Sequence, residues 1–246
     1  MNIYGVIPAR FASTRFPGKP LIDLAGKTMI QRVYEQSKKC TLLKDVIIAT
    51  DDQRIYDHAI SIGAKVMMTS DKHNSGTDRC AEVLENINDC DVIINIQGDE
   101  PLINPDQITL LCDCFKDAKT EIATLVKQIE TEETLFNHNT PKVIIDSHSF
   151  ALYFSRECIP HQRNVDKKDW LKNFKYYQHI GIYGYKADVL REITKLQASP
   201  LELAESLEQL RWLENGYKIK TSTTTFESIA IDCEEDVKKV LVYLVN

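Results

Sequence analysis

The sequence predicts an α/β fold with a mostly parallel central sheet that helices cover on both faces. Short apolar runs alternate with amphipathic segments of helical spacing along the first hundred residues. That alternation is typical of repeated βαβ units. With 246 residues, the chain can bury a large core, and we expect one domain over residues 1–246.

Four apolar runs in the first part of the chain are the predicted buried strands. Between the first two runs, apolar side chains recur at helical spacing from Met29 to Ser37. They recur again from Ile55 to Ile62, where Gly63 ends the segment. We expect these two segments to be covering helices. The four predicted strands are residues 3–7, 46–49, 65–68 and 92–96.

The later part of the chain is more mixed. We expect a loop or excursion over the charged residues 165–175, within a small dimerisation or substrate lobe over residues 150–185. A helix with Ser199 as its capping residue begins at Pro200 and ends at Asn215-Gly216. Four further strands are predicted at residues 122–126, 142–145, 179–185 and 218–224.

The helix that follows Ser199 has two predicted faces. Helical spacing places leucines 203, 207 and 210 on one face. The other face is either solvated or the wall of a sugar site, and the spacing favours neither interpretation. That second face carries Glu205, Glu208, Gln209 and Trp212.

Composition excludes several classes of protein. A net charge of −6 and a pI near 5.6 argue against a nucleic-acid-binding protein, which would need a basic surface. The seven cysteines include no Cys-x2-Cys pair, which favours free thiols in the reducing cytoplasm, with Cys112 and Cys114 as ordinary helix residues. The sequence has no apolar run of about 18 residues, so we expect no membrane insertion.

A basic, turn-rich loop directly follows the first predicted strand. It spans residues 8–20 and reads PARFASTRFPGKP. Ligands of open α/β sheets bind outside the carboxyl ends of the strands, where this loop lies. Guanidinium and ammonium groups, with backbone N–H groups near Gly18, suit the phosphates of a nucleoside triphosphate, although the spacing is not that of a Walker A motif. The loop contains the cations Arg10, Arg15 and Lys19 and the hydroxyl residues Ser13 and Thr14.

Acidic residues follow other predicted strands. Asp99 lies in the turn QGDEP at residues 97–101, and a carboxylate facing a triphosphate loop suits Mg²⁺. Asp232 also ends an apolar run, and its position slightly favours a helix N-cap over a metal ligand. The Asp51-Asp52 pair is expected to cap the following helix rather than to bind metal.

Two further polar segments give weaker signals. Residues 73–79 form a glycine-containing loop that opens a helix and ends in Arg79, a geometry that suits a base or a phosphate. In the strand 179–185, His179, Tyr183 and Tyr185 share one face. Spacing alone favours a packed aromatic strand over a ligand wall there.

Six motifs in chain order resemble those of the 3-deoxy-manno-octulosonate (Kdo) cytidylyltransferases, the CMP-Kdo synthetases. They run from the first strand to the last helices, so the resemblance covers essentially the whole chain. The first motif alone is also similar to a wider group that includes sialic-acid cytidylyltransferases. The motifs lie at residues 8–20, 75–79, 97–101, 151–156, 179–185 and 207–211.

This resemblance implies a nucleotidyltransferase fold of Rossmann-like type and a specific reaction. CTP and Kdo give CMP-Kdo and pyrophosphate when the anomeric hydroxyl attacks the α-phosphorus in a Mg²⁺-dependent displacement. The product feeds lipopolysaccharide synthesis, and the enzyme is a homodimer. The alternatives are a cytidylyltransferase for another 2-keto acid sugar, such as sialic acid or an amino-substituted Kdo, and a non-catalytic nucleotide-binding protein.

The resemblance also assigns roles to residues. Arg10, Lys19 and Asp99 are the implied catalytic residues, and Asp99 and Asp232 are the implied metal ligands. The implied nucleotide-binding residues are Arg10, Ser13, Arg15, Lys19, Ser75 and Arg79. The implied sugar-binding residues are Gln97, Arg156, His179, Tyr183, Glu208 and Gln209.

The chain departs from the family pattern at two places. After Ile159-Pro160 it has His161-Gln162-Arg163, where the family pattern has a Trp. Ahead of Asp232, the residues Ser228-Ile229-Ala230 replace a glycine-rich approach. The second departure bears on the assignment of Asp232 more than on that of Asp99.

Overall fold

The computed structural model describes residues 1–12, 16–227 and 229–245. Its strands are β1 (Ile3–Ala9), β2 (Asp23–Leu24), β3 (Lys27–Thr28), β4 (Asp45–Thr50), β5 (Lys65–Met68), β6 (Val92–Asn95), β7 (Ile122–Gln128), β8 (Lys142–Ile145), β9 (Ala151–Ser155), β10 (Tyr177–Lys186) and β11 (Ile219–Thr223). Its α-helices are α1 (Met29–Ser37), α2 (Gln53–Ser61), α3 (Gly76–Glu85), α4 (Pro105–Cys114), α5 (Glu132–Phe136), α6 (Trp170–Asn173), α7 (Ala187–Ile193), α8 (Pro200–Glu205), α9 (Gln209–Glu214) and α10 (Glu234–Val245). Two 3-10 helices span Lys19–Leu21 and Lys167–Asp169.

A nine-stranded mixed sheet forms the centre of the molecule. Its main order is β11-β7-β10-β6-β1-β4-β5, and β8 and β9 extend it beside β10. The pairs of β1 with β4 and β6 are parallel, as are β4 with β5 and β7 with β11. β10 is antiparallel to both β6 and β7. All eight predicted strands are present with ends within two residues of the predicted ones, whereas β9 was not predicted.

Apolar clusters on the two faces of the sheet hold the helices against it. One cluster joins α1, α2 and α4 to the central strands through residues such as Ile30, Ile55 and Leu111. The other joins α3, α7 and α9 to the opposite face through Val83, Leu190 and Leu210. This arrangement confirms the doubly covered sheet. It leaves the carboxyl ends of β1 and β6 next to each other, because those strands are parallel neighbours.

The predicted helix after Ser199 is two helices. α8 ends at Glu205, Ser206 takes left-handed angles (φ 52°, ψ 48°), and α9 begins at Gln209. The bend changes both predicted faces, because Leu203 is 69% exposed and Trp212 is buried among Tyr183 and Tyr185. The predicted division of this segment into a leucine face and a polar face was therefore wrong.

The charged stretch 165–175 is also more ordered than the predicted loop. It contains a 3-10 turn followed by α6, and the Trp170 side chain is only 3% exposed. Trp170 packs with Leu135 and Tyr176 in a cluster separate from the two main ones. His161, which stands where the family pattern has a Trp, lies edge-on against the same indole. Burial of one aromatic side chain thus orders a segment whose charges face solvent.

Two further findings concern the chain as a whole. Each of the seven cysteines is a free thiol, and Cys112 and Cys114 lie on α4 as predicted. Within the described ranges, every helix is too short or too polar to cross a bilayer.

Candidate functional site

A cleft of about 430 Å³ opens at the carboxyl ends of β1 and β6, and we call it the strand-end cleft. Gly98 allows the two strand ends to meet there. A Cβ atom at Gly98 would lie 2.6 Å from the carbonyl oxygen of Pro8, so no other residue fits without movement of the backbone. The cleft is lined by Pro8, Ala9, Arg10, Ala12, Lys19, Pro20, Met29, Gln97, Gly98, Asp99 and Asp232.

Lys19 and Asp99 face each other across this cleft. The Lys19 ammonium donates to Asp99 Oδ2 at 2.8 Å and to the carbonyl oxygen of Ile231 at 2.7 Å. The Ile231 N–H in turn donates to the Asp99 carbonyl at 3.0 Å. These bonds fix the segment after Ala230 against the turn after β6, and they bring Asp232 into the cleft beside Asp99.

The Asp99 and Asp232 carboxylates are a suitable donor set for Mg²⁺. Mg²⁺ commonly takes one or two protein carboxylates and completes its coordination with substrate phosphate and water. No cluster of three or more His, Cys, Asp or Glu side chains with metal-binding geometry occurs in the described part of the chain. Two carboxylates leave places in the coordination shell of such an ion for oxygen atoms of a bound phosphate.

The basic loop turns back on itself before it reaches Lys19. Gly18, with φ of 72°, donates its N–H to the Phe11 carbonyl at 3.0 Å. The Arg54 guanidinium stacks on the Phe11 ring at 3.3 Å from the ring centroid. The exposed Arg10 side chain lies in the cleft next to this turn. Ser13, Thr14 and Arg15 lie outside the described residues.

The Ser75 and Arg79 side chains lie away from the lining of the strand-end cleft. The Ser75 hydroxyl caps α3 by accepting from the Asp78 N–H at 3.1 Å. Arg79 is 1% exposed and donates to Asp51 Oδ2 at 2.7 Å and to the Thr69 hydroxyl. This ion pair ties the end of β4 to α3. Asp52 caps α2 as predicted, whereas Asp51 belongs to the ion pair.

Beside the cleft, five of the predicted sugar-binding residues come together, and we call them the polar cluster. Gln97 joins the cleft to this cluster by donating to the Gly181 carbonyl at 2.6 Å. The rings of His179 and Tyr183 lie 5.2 Å apart, and Glu208 Oε2 accepts from the Thr77 hydroxyl at 2.8 Å. The polar cluster consists of Gln97, His179, Tyr183, Glu208 and Gln209.

Burial sets the protonation of these side chains. It lowers the pKa of His179 to about 3, so the imidazole is neutral at physiological pH. Burial also raises the pKa of the Glu208 carboxyl and lifts the pKa of Tyr183 well above its ordinary value. The hydroxyl of Tyr183 and the amide nitrogen of Gln209 are buried without a partner among the described residues. Buried polar groups of this kind need a partner such as a water or a bound ligand.

The tautomer of His179 follows from its neighbour. The Thr124 hydroxyl donates to the Ile182 carbonyl at 2.8 Å and lies 3.0 Å from His179 Nε2. Because a hydroxyl has only one proton, we assign the donor role in the second bond to His179 Nε2. The other ring nitrogen, Nδ1, is then an acceptor, which suits a ligand hydroxyl better than a ligand carboxylate.

Arg156 lies at the end of β9, next to the bend between α8 and α9. Its guanidinium donates to the carbonyls of Glu205 at 2.7 Å, His138 at 3.2 Å and Ser206 at 3.3 Å. Three of the five N–H groups of an arginine are thereby bonded. The remaining two are enough for one carboxylate.

The spacing of the sequence did not identify three residues that shape the polar cluster. Thr77 and Thr124 position Glu208 and His179 by hydrogen bonds. Thr77 lies within the motif at residues 75–79 but was given no role, and Thr124 lies within a predicted strand. Glu205 was assigned to the polar helix face but makes three contacts to Ser155 and Arg156.

Comparisons with known proteins agree with this geometry. A family model for cytidylyltransferases matches residues 4–220. A 3-deoxy-manno-octulosonate cytidylyltransferase from Parabacteroides distasonis is 55% identical over 251 residues, covering 100% of this chain and 99% of the relative. A solved CMP:2-keto-3-deoxy-manno-octonic acid synthetase complexed with CTP has a TM-score of 0.93 and 39% identity, covering 100% of this chain and 99% of that one.

A more distant structure shares the fold alone. The 4-diphosphocytidyl-2C-methyl-D-erythritol synthase from Anaerococcus prevotii has a TM-score of 0.64 at 10% identity and covers 100% of this chain and 99% of that one. Together, these likenesses confirm the predicted α/β nucleotidyltransferase fold.

Proposed function

This chain belongs to the 3-deoxy-manno-octulosonate cytidylyltransferase family and forms CMP-Kdo from CTP and Kdo, and we propose how its residues carry out that reaction. The observation that carries the proposal is the meeting of Arg10, Lys19 and Asp99 in one cleft at the strand ends, beside a cluster of buried polar groups. The cleft takes the nucleotide triphosphate, and the polar cluster takes the sugar acid.

The cations of the strand-end cleft stabilise the leaving group. The anomeric hydroxyl of Kdo loses its proton as its oxygen bonds to the α-phosphorus, and the bond from that phosphorus to the pyrophosphate oxygen breaks, so that CMP-Kdo, pyrophosphate and a proton are released. Lys19 and Arg10 then offset the negative charge that accumulates on pyrophosphate. Lys19 is already held at the site by Asp99 and Ile231, so little reorganisation is needed before it contacts phosphate.

Asp99 and Asp232 are the proposed ligands of a Mg²⁺ cofactor. Both carboxylates line the cleft, and two carboxylates with phosphate oxygens satisfy the preference of Mg²⁺ for hard donors. When bound, the ion would withdraw charge from the phosphate oxygens around the α-phosphorus. The two aspartates would also hold the triphosphate in the orientation for in-line attack, through the bound cation.

The residues of the polar cluster, together with Arg156, orient Kdo. Arg156 offers two N–H groups to the sugar carboxylate, and neutral His179 accepts from a sugar hydroxyl at Nδ1. The unpartnered groups of Tyr183 and Gln209 take further hydroxyls, while Gln97 lies between the sugar and the nucleotide. Holding the anomeric hydroxyl of Kdo next to the α-phosphorus of CTP converts an encounter of two molecules into a reaction within one complex.

We extend the proposal to the assembly and location of the enzyme. Leu152 on β9 and Leu203 on α8 are 60% and 69% exposed, apolar surface that a second copy would cover in a homodimer. Light scattering that gives twice the mass of the chain supports this assembly, and a monomer contradicts it. Seven free thiols support the cytoplasm as the compartment, where the product would enter lipopolysaccharide synthesis.

The reaction is tested by pyrophosphate release from CTP and Mg²⁺ with Kdo, with sialic acid and without sugar. We expect release with Kdo only, and a loss of at least about a hundredfold in turnover for Lys19→Ala and Asp99→Ala, since each removes charge stabilisation at the reacting phosphates. Lys27→Ala is the matched control, because Lys27 forms an exposed ion pair with Glu35. Release with sialic acid would change the assigned substrate, and full turnover in Lys19→Ala would refute the assigned mechanism.

A further inference from the structure

We infer that Glu205 is a positioning residue for the sugar acid, because it holds both Arg156 and the bend that leads to Glu208 and Gln209. The inference rests on the proposed roles of those three residues in binding Kdo. Glu205 itself lies outside the strand-end cleft and the polar cluster. Its influence on the reaction would therefore pass through its neighbours.

Glu205 contacts Arg156 from two directions. One carboxylate oxygen accepts from the main-chain N–H of Arg156 at 2.9 Å, and the other accepts from the Ser155 hydroxyl at 2.6 Å. The Glu205 carbonyl accepts from Arg156 Nε at 2.7 Å. The main chain and the guanidinium of Arg156 are thus both fixed to one residue of α8.

The Arg156 guanidinium that Glu205 helps to fix also contacts the bend between α8 and α9. Ser206 has left-handed angles, and its carbonyl accepts from the Arg156 guanidinium at 3.3 Å. Glu208 and Gln209 follow two and three residues later, and Thr77 holds Glu208 on its far side. In Glu205→Ala the carbonyls of Glu205 and Ser206 still accept from the Arg156 guanidinium, so the displacement would begin at the Arg156 main chain and reach the bend through that guanidinium.

The surrounding structure should survive that loss. Lys142 is fully buried and donates to the carbonyls of Asn137 and Arg156, so it still holds the Arg156 main chain. Glu202 and Arg211 form a bidentate ion pair that joins α8 to α9 independently of Glu205. We expect substitutions at Glu205 to shift the site locally rather than to unfold the domain.

An amide can replace this carboxylate in part. In Glu205→Gln the amide oxygen can accept from the Arg156 N–H, and the amide N–H can donate to the Ser155 hydroxyl oxygen. That oxygen has a second lone pair for the Glu157 N–H at 3.0 Å, but the Ser155 hydroxyl proton then loses its acceptor on residue 205, so the replacement is imperfect. In Glu205→Ala both bonds are lost.

The test compares Glu205→Ala, Glu205→Gln and the surface control Glu85→Ala in the full-length enzyme. For Glu205→Ala we expect about a tenfold rise in KM for Kdo and less than about a twofold change in KM for CTP. The substitution would displace residues proposed to bind the sugar and none proposed to bind the nucleotide. Glu205→Gln should recover most of the loss. Glu85 pairs with Arg191 on the exposed edge of α3, so its variant should match the parent. An unchanged KM for Kdo, or equal rises in both KM values, would overturn the inference.

Amide hydrogen exchange of the ligand-free protein separates this inference from the proposed function. The Arg156 amide should exchange faster in Glu205→Ala than in the parent, whatever the enzyme uses as substrate. If the parent releases no pyrophosphate with Kdo, the proposed function fails. If exchange of the Arg156 amide is unchanged, the inference that Glu205 fixes Arg156 is refuted instead.

Discussion

Lys19 joins segments that lie far apart in the sequence. Its ammonium bonds to Asp99 and to the carbonyl of Ile231, and both partners are only partly exposed or buried. An ion pair shielded from water holds its geometry better than one on the open surface. If Lys19 binds the nucleotide as proposed, the triphosphate would meet a lysine that is already in place and would replace part of its bonding to Asp99.

Acid stability tests the protonation of His179. The pKa of His179 is lower in the folded protein than its value of about 6.5 in the unfolded chain, so the folded state keeps the ring neutral. The free energy of unfolding therefore decreases as the pH falls below about 6.5. Between pH 6.5 and 4.5, the Tm of the parent should fall at least about 2 °C more than the Tm of His179→Gln.

Thermal unfolding in matched buffers provides the measurement. Glu208 acts with the opposite sign, because burial raises its pKa, but it is present in both proteins and cancels in the difference. Equal acid sensitivity of the two proteins would contradict the assigned protonation of His179.

The residues at strand ends were predictable, and the burial of others was not. Arg10, Lys19 and Asp99 were found from the sequence because the carboxyl ends of parallel strands meet at one edge. The same reasoning cannot show that the Arg79 guanidinium is bonded to Asp51 and Thr69, since both partners are set by tertiary packing. The predicted nucleotide roles of Ser75 and Arg79 stay predictions.

At the scale of elements, Gly98 controls how β1 and β6 end. Gly98→Ala would place a methyl group 2.6 Å from the Pro8 carbonyl, and the turn that carries Asp99 would have to move. We expect at least about a tenfold loss of kcat/KM, measured by pyrophosphate release.

Gly26→Ala is a suitable control for Gly98→Ala. Gly26 has a φ of 82°, but a methyl group added there would meet nothing within 4 Å, so its substitution adds backbone strain without a clash. It should lower Tm slightly and keep kcat. Equal activity of the two variants would show that the close approach of Gly98 to Pro8 is unimportant.

Ser206 tests the bend between α8 and α9. A left-handed residue other than Gly is strained, so Ser206→Gly should raise the free energy of unfolding by about 0.5–1 kcal/mol and Tm by about 1–4 °C. KM for Kdo should not change, because the carbonyl that Arg156 contacts belongs to the backbone. Ser206→Val should lower Tm, and a lower Tm for the glycine variant would argue against strain at this residue.

Periodicity predicted the strands well and failed at the bend. Apolar runs identified eight strands because burial on both faces of a sheet leaves a continuous apolar signature. The helix capped at Ser199 has no Gly or Pro where it breaks, and hydrogen bonds from Arg156 and the Glu202–Arg211 pair determine the break instead. Long-range contacts of this kind leave no local pattern.

At the scale of the whole molecule, nucleotide binding should stabilise the fold. CTP with Mg²⁺ at about a hundred times its Kd adds about 2.7 kcal/mol, which corresponds to a rise in Tm of about 5–10 °C. The shift should be largely lost in Lys19→Ala, because Lys19 is the proposed contact of the triphosphate, and retained in Lys27→Ala. Differential scanning calorimetry measures it, and an equal shift in Lys19→Ala would place the nucleotide elsewhere.

The strand order could not be read from the sequence. The alternating pattern predicts parallel neighbours, yet β10 is antiparallel to β6 and β7 and separates them. Which strands become neighbours depends on the path that the chain takes across the sheet after β6. The spacing of apolar residues does not encode this path. The polar cluster depends on this crossing, since β10 carries His179 and Tyr183 beside the end of β6.

The central place of β10 has a consequence for synthesis on the ribosome. β1, β4, β5 and β6 all lie within residues 3–95, so the parallel half of the sheet can assemble first, but the outer edge of β6 waits for a strand that ends at Lys186. At about 5–20 residues per second, the 91 residues from Asn95 to Lys186 take about 5–18 s. For that time the nascent chain carries an unpaired apolar strand edge, the kind of surface on which neighbouring polypeptides aggregate and to which chaperones bind.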